Sequence, residues 1–136
     1  MKLLGKRSLA VGVATVAAIA GTALPASAAS DHGVSGTVYS PCSGQIWFEG
    51  GARTKEGTGL VKLEFSTLNP GGVTWKLLGQ SNQQYGSVQS WIASETGIWR
   101  TLDSSMGNGT IFFNDFKEYD GQCGHGNYNF AGDEYY

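Results

Sequence analysis

The chain has 136 residues, with nine Lys and Arg against eleven Asp and Glu, a formal net charge of −2. This length allows one domain, and the acidic balance argues against nucleic acid or an anionic membrane surface as a partner, since both require a basic patch. Glycine is frequent, at 21 residues, and helix formers never run long, so the expected class is all-β.

Residues 1–28 read as a signal peptide. Lys2, Lys6 and Arg7 form a positive start, residues 9–20 are small or apolar and uncharged, and Ala26-Ser27-Ala28 is a small-x-small cleavage site. The apolar run falls short of the ~20 residues a bilayer crossing needs, so no membrane anchor is expected. Cleavage before Ala29 would leave residues 29–136 as a single secreted, extracellular β domain. In that domain six basic residues stand against eleven acidic ones, a net charge of −5.

Two cysteines, Cys42 and Cys123, fall within it. In an oxidising compartment they permit one disulfide, closing a loop of ~80 residues and contributing roughly 4 to 5 kcal/mol in the chain-entropy model. Without a CxxC pair they do not suggest a metal site.

Strands are expected in chain order at 35–40 and 44–49, the latter placing Trp47 on a face with Gln45 and Glu49. Residues 60–67 then alternate, with Val61, Leu63 and Phe65 on one face, and 73–78 place Val73, Trp75 and Leu77 on one face. Pro70-Gly71 suits a type II turn, so the two segments are expected to form a hairpin in which Phe65 pairs with Trp75 and Glu64 with Lys76. Strands 86–93 and 98–103, joined by a turn at Gly97, would put Trp91 and Trp99 on the same sheet face. Asn108-Gly109 marks a hairpin turn before 110–116, and 127–131 completes the set. The expected fold is a small antiparallel β-sandwich or barrel of seven or eight short strands with one disulfide. An immunoglobulin pattern does not fit, because Trp47 follows Cys42 too closely and Gly121 stands two residues before Cys123.

Catalytic chemistry finds little support. The histidines are His32 and His125, no nucleophile elbow accompanies either, and no cysteine stays free if Cys42 and Cys123 pair. Asn114, Asp115, Glu118 and Asp120 are oxygen ligands close in sequence, but their spacing is not that of an EF-hand loop. No metal and no cofactor is expected. Trp47, Trp91 and Trp99 lie on otherwise polar strand faces, where they would form an aromatic platform for a sugar ring or a protein partner. The expected function is therefore a secreted, non-enzymatic binding protein for a glycan or protein partner. Its alternatives are a toxin or inhibitor acting through loop 79–86 or 119–128, or a small hydrolase using His125.

Overall fold

A computed structural model describes residues 28–39, 46–68, 70–119 and 126–136. The proposed signal peptide (apart from Ala28), Cys42, Cys123, His125 and Asp120 lie outside the described residues. Eight strands make up the architecture: β1 (Asp31–Tyr39), β2 (Phe48–Thr54), β3 (Gly59–Thr67), β4 (Val73–Gly79), β5 (Gln84–Trp91), β6 (Arg100–Met106), β7 (Ile111–Glu118) and β8 (Asn127–Tyr135). They form two four-stranded antiparallel sheets, ordered β1-β8-β3-β6 and β2-β7-β4-β5. The first is called sheet A and the second sheet B. Packed face to face, they make a sandwich rather than a barrel.

Every link between successive strands except β4–β5 passes from one sheet to the other. This order is the jelly-roll arrangement of two interlocked Greek keys. It corrects the expected hairpins. Strands β3 and β4 lie in opposite sheets, so Phe65 and Trp75 meet across the core, with ring centroids 5.7 Å apart and edge to face. The outward residues consequently find other partners: Lys76 pairs with Asp115 on β7, and Glu64 stands opposite Asp133 on β8. Strands β5 and β6, and likewise β6 and β7, are also divided between the sheets.

Gly72 permits the crossing from sheet A to sheet B after β3. Its φ is +65°, and a Cβ there would run into the carbonyl of Trp91, so only glycine lets this connection pass beneath β5.

The alternation of the sequence decides which side chains enter the core. Val61, Leu63 and Phe65 from β3 face Val73, Trp75 and Leu77 from β4, and all six are buried. Phe65 also packs edge to face on Trp91 and Phe130, at 5.0 and 5.7 Å. Trp75 stacks on Phe116 at 5.0 Å. Burying each such side chain contributes roughly 1.5 to 3 kcal/mol.

One polar relay crosses this interior. The Trp75 indole Nε1 donates to Asn114 Oδ1 at 3.0 Å, and Asn114 Nδ2 donates to Glu134 Oε2 at 2.7 Å. Glu134 is fully buried, and its Oε1 has no hydrogen-bond partner among the described residues. Burial pushes its pKa up to about 7, with the Asn114 bond and Arg53 pulling the other way.

The long edges of the sandwich differ. Between β5 and β6 the sheets close tightly, because Gly86 (φ +55°) lies directly on the Leu102 carbonyl. Between β1 and β2 a cleft of about 90 Å³ reaches inward past the Gly50–Gly51 bulge to Asn114, Trp75 and Phe130. A cavity of that size holds a few waters and is smaller than one that takes benzene.

Candidate functional site

The three tryptophans expected to form a binding surface occupy three different environments. Trp91 is fully buried. It pairs with Val73 on β4, which faces the core, and residues paired directly across antiparallel strands share a face. The indole Nε1 donates to the Ile98 carbonyl at 2.8 Å, and the Arg100 guanidinium covers the ring at 5.6 Å. The expectation that Trp91 binds a ligand is therefore corrected: it is a core residue. Trp91 does lie opposite in sense to Val88 and Ile92, as alternation implied. The inward side of β5 is the one carrying Gln89 and Trp91, while Val88 and Ile92 face outward, each 44% exposed. On an edge strand, hydrophobic alternation gives a weak guide to the inside.

Trp47 immediately precedes β2 and is half-buried on the outer face of sheet B. The Lys76 and Lys117 ammoniums approach its ring to 4.1 and 4.8 Å, and Lys76 is also paired with Asp115 at 3.6 Å. Trp99, 41% exposed, belongs to the outer face of sheet A. Trp47 and Trp99 thus lie on opposite sides of the sandwich and cannot contribute to one platform.

Trp99 does not stand alone. Lys62 points outward from β3, opposite both Thr101 on β6 and Tyr135 on β8. Its ammonium lies 5.3 Å from the centroid of Trp99 and 4.8 Å from that of Tyr135. Such cation–π contacts contribute about 0.5 to 1 kcal/mol each at exposed sites, and here one ammonium links two rings. Farther along the same face lie polar residues: Glu64 and Asp133 opposite each other, and Thr37 donating to Asn129 at 2.9 Å. The sequence reading missed Tyr135 and Lys62. Lys62 reaches Trp99 through the pairing of β3 with β6, and Tyr135 joins them because β8 inserts between β1 and β3; no local pattern encodes either pairing.

A second cluster has the residue types of a hydrolase without the geometry. Ser30 Oγ lies 3.0 Å from His32 Nε2 and donates to Glu56 at 2.8 Å, while the same His32 Nε2 lies 3.3 Å from Glu56. In a catalytic triad the nucleophile and the acid engage different ring nitrogens, so that the acid orients the base. Here both approach one nitrogen, and the His32 ring is stacked on Tyr136 at 4.1 Å. The Ser30 hydroxyl, and to a lesser extent His32, hold the Glu56 carboxyl below the usual carboxylate range.

The acidic run also separates. Asn114 points into the core and Asp115 outward from β7, so these neighbours cannot share one ion. Among the described residues no group of three or more His, Cys, Asp or Glu is placed to hold a metal. Loop 79–86 forms the β4–β5 hairpin, closed by Gly79 N–H donating to the Gln83 carbonyl at 2.8 Å. The exposed aromatic–lysine stack on sheet A therefore remains the best-formed candidate surface. The chain matches no protein-family model and no curated protein.

Proposed function

We propose that the protein is a secreted, non-catalytic glycan-binding protein whose contact surface is the outer face of sheet A around Trp99, Lys62 and Tyr135. The observation that supports this reading is Trp99, 41% exposed and steadied by a lysine it shares with Tyr135. A sugar presents an apolar C–H face and a rim of hydroxyls. The exposed Trp99 ring and the half-buried Tyr135 ring match the first, and the neighbouring Lys62, Glu64, Asp133 and Thr101 match the second. A protein-binding hot spot would instead sit at the centre of a well-packed apolar patch, whereas most of this face is polar.

Export by residues 1–28 and a Cys42–Cys123 disulfide complete the reading. A signal with a small-x-small site supports the first, and an even cysteine count in an oxidising compartment supports the second.

Affinity electrophoresis through gels containing soluble neutral polysaccharides tests the binding claim. The protein should be retarded by at least one of them, and Trp99→Ala should migrate as though the polysaccharide were absent while keeping its melting temperature within about 4 °C. Equal retardation of both proteins would show that the contact surface lies elsewhere. No retardation of the wild type, in neutral or anionic gels, would remove the glycan reading.

A further inference from the structure

Beside the aromatic stack lies a pocket of about 250 Å³, bordered by Lys55, Thr58, Leu60, Ser104 and Tyr135. Tyr135 belongs to both the pocket and the stack, so the two are continuous on one side of the molecule. Lys55 gives the pocket its chemistry. It is 1% exposed, and its Nζ donates to the Glu56 carbonyl at 2.7 Å, leaving further N–H donors on the ammonium. The Glu56 carboxylate, the nearest acid in sequence, is engaged instead by Ser30 and His32. Lys55 therefore carries a buried positive charge without a carboxylate salt bridge among the described residues, an arrangement that is costly unless an anion compensates it. Burial accordingly holds the Lys55 pKa below the ordinary lysine range, more strongly than Glu56 raises it.

We propose, resting on the glycan reading of the Trp99 face, that this pocket is an anion subsite that takes a carboxylate or sulfate group carried by the bound sugar chain. A cavity of ~150 Å³ accepts benzene, so the larger volume here admits a charged substituent and part of its ring. Lys55, Ser104 and Thr58 are among its lining residues, and the charge-assisted hydrogen bonds that a lysine ammonium makes to an anion are the strong ones. Ala29 also borders the pocket, and removal of residues 1–28 would add its α-ammonium to the rim. The acidic balance of the domain does not forbid this. Charges more than ~8 Å away are screened at physiological ionic strength, while Lys55 and Lys62 flank Tyr135 at close range.

The test runs the same gels with three polymers: neutral galactan, polygalacturonate and carrageenan. The protein should bind one of the anionic polymers about tenfold more tightly than galactan, with the carboxylate and sulfate gels distinguishing the two sources of charge. Lys55→Met should bring that polymer down to the neutral level, and Trp99→Ala should abolish retardation by all three. Preference that survives in Lys55→Met, or no preference in the wild type, overturns the anion subsite and leaves the Trp99 reading standing. Undiminished binding by Trp99→Ala overturns the parent reading instead. If Lys55→Met does not fold, lysine NMR of the wild type decides. Added galacturonate or galactose 6-sulfate should shift the Lys55 ε-methylene signal and raise its titration midpoint, and an unmoved signal with both overturns the proposal.

Discussion

Trp91 and Trp99 stand eight residues apart, at the two ends of the link from sheet B to sheet A, and meet opposite fates. At Trp91 the chain is still paired to β4, and the ring is packed on Phe65 with its N–H satisfied by Ile98. At Trp99 the chain has not yet entered β6, and the ring lies on the outside against Lys62. Between them, successive turns at 92–95 and 95–98, with Gly97 at φ +77°, reverse the direction in which side chains point. Arg100 joins the two ends. It covers Trp91 with its guanidinium and binds Glu95 at 2.6 Å. One residue type thus fills the core at one end of the link, inside sheet B, and lies exposed at the other, outside sheet A.

Substitutions can break this contrast or sharpen it. Trp91→Ala should have the largest effect, a loss of about 3 to 5 kcal/mol in chemical denaturation, because it leaves a cavity beside Phe65. A loss below 1 kcal/mol would mean that the ring is not a core element.

The interior carboxylate comes next. Glu134 has its pKa raised to about 7 in the folded protein. In the unfolded chain an ordinary value near 4.3 is expected, so the folded state binds more protons between these values. Stability should accordingly be greatest below pH 4.3 as far as this group is concerned. It should fall by roughly 3 kcal/mol as pH rises to 7 and then level off. Glu134→Gln keeps an acceptor for Asn114 and should flatten that slope, leaving the variant more stable than the wild type at pH 8. An unchanged slope would show that another group governs it.

Trp47→Ala should cost about 1 kcal/mol, from its contacts with Lys76 and Lys117 on the outer face of sheet B. Glycan binding should be unaffected, because that face is opposite the Trp99 surface. Trp99→Ala should have the smallest effect on stability, about 0.5 kcal/mol, and the largest on binding. If Trp99→Ala unfolds the protein as Trp91→Ala does, the distinction between the two residues fails.

Much of the fold was legible in the sequence. Each expected strand overlaps an observed one, from 35–40, which shares 35–39 with β1, to 127–131 within β8, although 44–49 overlaps β2 only at its start. The inward sets Val61-Leu63-Phe65 and Val73-Trp75-Leu77 were also correctly grouped, since alternation has a period of two whatever the partner strand is. Edge strand β5 was harder to read. Its inward face carries Gln89 as well as Trp91, so hydrophobicity did not mark which side was covered. The candidate surface was legible only through Trp99, because Lys62 and Tyr135 are 73 residues apart along the chain and meet by strand pairing.

The sequence by itself therefore determined an all-β chain, where its strands lie and, in the central strands, which residues share a face. These are local consequences of side-chain alternation and of Gly and Pro at turns. Only the tertiary structure decided which strands pair. Phe65 and Trp75 satisfy the same apolar pattern whether they meet along one sheet or across the gap between two. The choice is made by distant elements, β7 and β8, which pair with β4 and β3 and so draw them into separate sheets. That choice buries Trp91, places Trp47 and Trp99 on opposite faces, and brings Lys62 and Tyr135 to Trp99.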